Sequence, residues 1–292
     1  MNIQVPTPAG FDFRRTLYSH GWYSLKPFET AECGALVRVL DSAEGGEPFT
    51  VKVAGEVGSL RVGVSRPLSK AEREGAARDV RHVFRLDDEM KEFYAAVAGH
   101  AEFAWIARYG AGRLLRSPTV FEDLVKSVCT TNCSWALTKK MVAALVTSLG
   151  REAADGRRAF PTPEAMAAET EEFYRRVVRA GYRAPYLREL AGRVASGELR
   201  PEEWFSSGLS TNELKREMKR VKGVGDYAAE NLLKLLGRYD VLALDSWVRA
   251  KFAESRNRGR RCEDAKIARF YSRFGEWRGL ALWCDMTRDW FD

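Results

Sequence analysis

STNELKREMKRVKGVGDYAAENLLKLLGRYDVLALDSWVRAKF, residues 210–252, is the stretch on which the fold turns. Ser210 and Glu213 stand at capping-box spacing, and Leu214, Met218 and Val221 then repeat along one helical face. The pattern breaks at Val221-Lys222-Gly223-Val224-Gly225, where two glycines around one apolar residue predict a tight turn tolerant of left-handed backbone. Asp226 is placed to cap a second helix, Tyr227 to Leu236, that buries Leu232, Leu233, Leu235 and Leu236 and stops at Gly237. Tyr239 to Leu244 is apolar and extended. Asp245 follows, and Ser246 to Phe252 reads as another helix.

Such a turn has a physical use. Glycines let the backbone approach a phosphate closely, and the helix that starts there offers free N–H groups with a partial positive charge. It can hold a nucleic-acid backbone without reading its sequence. Taken alone, Gly-Val-Gly is also an ordinary turn between two helices, and Asp245 alone is also a plain helix N-cap.

Helical signals continue upstream. Ser69 and Glu72 form a capping box, Leu86 to about Ala98 is a further candidate, and Thr119 and Glu122 form another capping box. That last helix carries Phe121, Leu124, Val125 and Val128 on one face. It breaks at Thr130-Thr131-Asn132-Cys133-Ser134, where side chains compete for backbone hydrogen bonds, resumes at Trp135 and stops at Gly150. Thr162 caps a helix with Pro163 in its first turn. Short helices follow around Glu171–Arg179 and Pro185–Ser196. The first third reads differently. Ala35–Asp41, Phe49–Ala54 and Leu60–Val64 suggest strands, the last two by period-two alternation, with turns at Gly45-Gly46 and Gly55 to Gly58. The fold expected is mainly α, with a small N-terminal antiparallel β-sheet.

The chain has 292 residues, enough for two or three small domains. Lys and Arg number 47 against 40 Asp and Glu, a formal charge of +7 that leans modestly toward nucleic acid. No apolar run approaches the roughly 18 residues a spanning helix needs, so no membrane association is expected. The first residues lack a signal-peptide pattern, so a cytoplasmic protein is expected. Five scattered cysteines read as buried thiols, Cys129 and Cys133 included, and three histidines have no metal-ligand spacing. Arg256 to Arg261 reads as an exposed basic loop.

Together, the turn, the second helix, the apolar segment and an aspartate 18 positions beyond Tyr227 resemble the helix–hairpin–helix DNA glycosylase superfamily. Phe121 to Gly150, Phe160-Pro161-Thr162-Pro163 and Gly181-Tyr182-Arg183-Ala184 extend the resemblance. The N-terminal sheet is similar to that of the alkyladenine and 8-oxoguanine branches. The resemblance implies an N-terminal subdomain over 1–100 and a two-lobed helical core over 101–292, with the helix–hairpin–helix at 212–236. It implies Asp245 as the catalytic carboxylate and Asn132 as the residue that plugs the gap left by an extruded base. Lys222, Gly223, Val224, Gly225 and Arg249 would contact DNA, and Tyr227 and Trp247 would line the base pocket. Trp22, Tyr23 and Trp135 have no assigned place. The implied partner is double-stranded DNA containing a damaged base, bound by a monomer, nucleoid-associated if bacterial.

Two departures set the subtype. Bifunctional relatives carry a Schiff-base lysine two residues past the second glycine; here that residue is Tyr227, and a phenol forms no imine. A monofunctional glycosylase is therefore expected. Only Cys262 and Cys284 lie near the C-terminus, too few for the iron–sulfur cluster of the endonuclease-III-like branch, and no metal or other cofactor is expected. Alkylated purines are favoured as substrate, because a cationic base stacks well on aromatic faces. The alternatives are a bifunctional 8-oxoguanine-type glycosylase/AP lyase and a non-catalytic DNA-binding module that keeps the hairpin.

Overall fold

Alternating apolar residues build the sheet. In a computed structural model that describes residues 2–42 and 45–291, five strands run β1 (Asn2–Pro6), β2 (Glu29–Thr30), β3 (Leu36–Leu40), β4 (Phe49–Glu56) and β5 (Ser59–Val64). They pair antiparallel in the order β1-β5-β4-β3-β2, with Ile3 opposite Val62 and Val62 opposite Val53. Val51, Val53, Leu60 and Val62 point to the core while Lys52 and Arg61 face water, as the two-residue period requires. β1 and β2 were not expected. β1 does alternate, with Ile3 and Val5 inward, but its five residues gain their meaning only by pairing with β5.

The remainder is helical: α1 (Phe13–Leu17), α2 (Lys70–Val83), α3 (Lys91–Ala98), α4 (Ala104–Arg108), α5 (Val120–Thr130), α6 (Trp135–Leu149), α7 (Pro163–Ala167), α8 (Glu171–Arg176), α9 (Ala184–Ala195), α10 (Thr211–Met218), α11 (Asp226–Leu235), α12 (Ser246–Arg256), α13 (Asp264–Tyr271) and α14 (Arg278–Met286). Both arms of the capping box form at Ser69 and at Ser210. Thr119 makes only one: its hydroxyl accepts from Glu122 N at 3.2 Å. The Glu122 carboxylate instead binds Arg38 and Lys126, and Glu202 accepts from Val120 N and Phe121 N, each at 2.9 Å. The helix start is thus capped by a residue 82 positions away.

Other boundaries differ for local reasons. The helix expected from Leu86 begins at Lys91, because Arg85 is left-handed (φ 54°) and Asp87 and Asp88 turn back to pair with Arg81 and Arg85. α8 stops at Arg176, short of left-handed Arg179, while α12 runs on to Arg256. Arg256 is not part of the exposed basic loop: its guanidinium donates to the buried Asp285 carboxylate.

Apolar packing forms two main cores. The sheet, α2, α5, α6 and α9–α11 share one; α3, α4 and α12–α14 share the other. The segment Tyr239–Leu244 runs along their boundary, Val241 packing on the first and Tyr239, Leu242 and Leu244 on the second, so α11 and α12 sit in different cores. Arg85 and Arg116 both donate to Leu235 O, at 2.6 and 3.2 Å, placing cations at the negative end of α11. Among the described residues no helix is long and apolar enough to cross a membrane.

Candidate nucleic-acid interface and base cavity

The turn between α10 and α11 is built as its glycines require. Gly223 is left-handed (φ 88°), and a Cβ there would sit 3.0 Å from the Tyr186 ring. Val221 and Val224 are buried beneath the turn. Gly225, not Asp226, is the N-cap of α11; it is extended (φ −88°, ψ −172°), and a Cβ there would meet open space. Asp226 is the first helical residue, and its carboxylate turns to Lys219 (2.9 Å) and Lys215 (3.0 Å). Among the described residues no side chain caps this helix, and its first turn lines the groove in front of it, so its leading N–H groups remain without an intrahelical or side-chain partner.

That groove has a volume near 790 Å³ and runs from Asn132 and Tyr182 past the Gly223–Gly225 turn to Asp245 and Arg249. Asn132 is exposed and left-handed (φ 46°), at the tip of the loop between α5 and α6, and its amide donates to Tyr182 Oη at 3.3 Å. Lys222 and Arg249, expected to contact DNA, each hold a carboxylate: Lys222 with Glu189 at 2.7 Å, Arg249 forked onto Asp264 at 2.7 and 2.8 Å. These pairs lie in solvent, where an ion pair is worth about 1 kcal/mol or less, so a phosphate can compete for either cation.

Asp245 caps α12, accepting from Val248 N at 2.6 Å through Oδ1. Among the described residues its second oxygen takes no protein donor. Backbone on both sides is tightly specified. Ala243 is buried and left-handed (φ 51°), a conformation costing about 1–3 kcal/mol in a non-glycine residue. Gly279 N donates to Tyr239 O at 2.7 Å, and Arg278 Nε to Asp240 O at 2.7 Å. A Cβ at Gly279 would lie 1.9 Å from Val241 O. We therefore expect Gly279→Ala to displace this segment and destabilise the protein by about 1–3 kcal/mol, read as a lower urea midpoint. An unchanged midpoint would show the segment to be less tightly held.

Behind Asp245 opens a cavity of about 680 Å³ that the sequence did not reveal. Tyr227 and Trp247 line it, joined by Trp22, Trp135, Trp283 and Trp290. Trp22 is anchored by its indole N–H to Asp123 at 2.6 Å, and the Trp135 ring lies 6.4 Å from it, nearly parallel. Trp247 and Trp283 are 6.0 Å apart. Trp22, Tyr23 and Trp135 thus find their place; Trp283, Trp290 and His20 were missed because only packing between distant segments brings them here. Burial and the nearby Asp245 charge raise the Tyr227 hydroxyl above the usual phenol range. Of the five cysteines expected to be buried only Cys129 and Cys284 are; Cys133 and Cys262 are half-buried and Cys33 is exposed, and the Cys129 thiol is pushed up to about 12 by burial, which leaves it inert. Asp245, Ser246, Tyr227, Thr130 and Cys133 line both groove and cavity, so the carboxylate stands where the two meet.

No family model and no curated protein matches the chain by sequence. By structure it is similar to the 8-oxoguanine glycosylase/lyase of Clostridium acetobutylicum, with 21% identity, TM-score 0.75, and coverage of 98% of this chain and 95% of that one. It is similar to the 3-methyladenine DNA glycosylase of Archaeoglobus fulgidus, with 21% identity, TM-score 0.76, and coverage of 100% and 99%. A 3-methyladenine DNA glycosylase from Schizosaccharomyces pombe, solved with abasic DNA, matches 68% of this chain and 95% of its own at 21% identity and TM-score 0.54. Along its whole length, then, the chain has the fold of the 8-oxoguanine and 3-methyladenine DNA glycosylases.

Proposed function

We propose that this protein is a monofunctional DNA glycosylase of base excision repair, hydrolysing the N-glycosidic bond of a damaged base turned out of duplex DNA. The observation that carries the reading is the position of Asp245 at the junction of an open groove and an aromatic cavity. The α10–turn–α11 unit acts as the helix–hairpin–helix, taking a phosphate on the leading N–H groups of α11 while Lys222 and Arg249 supply charge. The two apolar cores support a two-lobed molecule with the cleft between them.

A base inside a duplex is out of reach, so it must leave the stack, at a cost of a few kcal/mol. Asn132, on its exposed loop tip, fills the space left behind. The extruded base enters between Trp22, Trp135, Trp247 and Trp283. As the C1′–N bond breaks, positive charge develops on the sugar at the cavity mouth. The Asp245 carboxylate stabilises that charge and orients the attacking water. Tyr227 occupies the place of a Schiff-base lysine and cannot form an imine, which favours hydrolysis without strand cleavage.

The test is a panel of duplexes each carrying one defined lesion, with release of free base as readout, paired with borohydride trapping on abasic DNA. Base release without a trapped adduct is expected. A covalent adduct would favour a glycosylase/lyase, and duplex binding with no release from any lesion would favour a non-catalytic binding module. The sequence favoured alkylated purines because cations stack on aromatic faces. The aromatic walls are present, but so is a buried cation behind one of them.

A further inference from the structure

Lys234 is the least explained residue near the cavity. It lies on α11, seven positions after Tyr227 and three after Asn231, and so shares the face that carries those two cavity-lining residues. It is 1% exposed, and Nζ has no hydrogen-bond partner among the described residues. What it does have is the ring of Trp283, whose centroid is 3.8 Å from Nζ. Trp283 is a wall of the cavity. His20, another lining residue, lies 5.4 Å from the same ring, and its Nδ1 is also buried without a partner. Unpartnered buried polar groups cost stability, and two of them against one wall of a ligand-sized cavity call for a functional account.

We propose that Lys234, acting through Trp283, makes this cavity select neutral, carbonyl-bearing bases and reject cationic alkylated ones; the inference rests on the glycosylase reading above. The chemistry separates the two classes. In either case the C1′–N bond breaks with its electron pair staying on the base, water adds its oxygen to C1′, and a proton from that water is released. A neutral base departs as an anion and takes up that proton. It therefore gains from a cation behind the wall it stacks on. A cationic base departs neutral and gains nothing, yet must first be desolvated beside a like charge. Asp245 on the sugar side and Lys234 on the base side form a dipole aligned with the charge separation of the first class.

The surroundings fit this role. Burial lowers the Lys234 ammonium to about 7, while Asp245, Glu230 and Cys284 oppose the fall, so charge is present near neutrality and grows as the base becomes negative. His20 is held well below its usual range by burial, then by Lys234 and Lys126, so it offers a neutral imidazole to a carbonyl or ring N–H. Lys234 acts through Trp283 and is a selectivity-determining residue, not a catalytic one.

The experiment is single-turnover base release by wild type, Lys234→Met and Lys234→Arg. The duplexes carry one hypoxanthine or 8-oxoguanine as the neutral class, or one 7-methylguanine as the cationic class. Wild type should favour the neutral class. A charge within several ångströms at an effective dielectric near 20 shifts a rate by about one to two orders of magnitude. The Met variant should therefore lose about tenfold or more on neutral lesions and gain about tenfold on 7-methylguanine, while Arg keeps the wild-type order. Loss of a packing residue would lower both classes together and cannot reverse the ratio. Thermal melts check folding, and Met, which removes an unpaired buried amine, should melt no lower than wild type. Equal changes in both classes, or faster release of 7-methylguanine by wild type, overturns the inference and leaves the glycosylase reading standing. No release of any base by wild type overturns both.

Discussion

Asp245→Asn is expected to lower base release by about a thousandfold or more while duplex binding changes little. The reasoning separates two jobs of one side chain. As the N-cap of α12, Asp245 accepts from Val248 N, and asparagine does this as well as aspartate. The helix start, and with it the groove, therefore survives the substitution. What is lost is the negative charge at the cavity mouth. A preorganised group facing transition-state charge is worth about 3–4 kcal/mol, two to three orders of magnitude in rate, and a full charge facing a cationic sugar belongs at or beyond the upper end. Single-turnover release and a binding isotherm on the same lesion duplex check both halves. Asp245→Ala adds a cap loss of about 1 kcal/mol in stability, which the Asn variant avoids. Release within tenfold of wild type would remove Asp245 from the chemistry.

Glu122→Gln is expected to cost about 3–5 kcal/mol of stability. The Glu122 carboxylate is buried between Arg38, at 3.0 Å, and Lys126, at 2.6 Å, with all three side chains at most 5% exposed. It ties β3 to α5. Glutamine removes the negative charge and leaves two cations out of water, against a typical total stability of about 5–15 kcal/mol. Burial works against ionisation of Glu122, but Arg38 and Lys126 outweigh it and hold the carboxyl below its ordinary range. The unfolded chain therefore takes up the proton at higher pH than the folded one. The contribution is complete above about pH 4.5 and is lost as pH falls through the lower folded value. Urea titrations of wild type and variant at neutral pH, repeated between pH 5 and 3, should show a gap that narrows with acid. A constant gap, or one below about 1 kcal/mol at neutral pH, would refute this role for the triad.

Local rules carried much of the architecture. The capping boxes at Ser69 and Ser210 form as their spacing dictates, Phe49–Ala54 and Leu60–Val64 lie in strands, and Gly223 takes the left-handed conformation. Each depends on residues within about four positions of one another or on a two-residue period. Where a local rule had a distant competitor, the competitor won. Glu122 left its cap for Arg38 and Lys126, and Glu202 took over the donors at the start of α5. A buried ion pair left without its partner costs about 3–5 kcal/mol, which outweighs a surface cap worth about 1 kcal/mol.

The candidate site divides along the same line. The sequence alone determined the turn, the helix behind it and an aspartate at the head of the next helix, because all lie in one stretch whose order is fixed by the chain. Tertiary structure alone decided that Trp22, Trp135, Trp283 and Trp290 line one cavity, that Lys234 stands behind it with no hydrogen-bond partner among the described residues, and that Lys222 and Arg249 are paired. Those residues come from segments up to 268 positions apart, and no periodicity links them. Their meeting is set by how two apolar cores pack against each other, a free energy shared by many side chains and written in none of them singly.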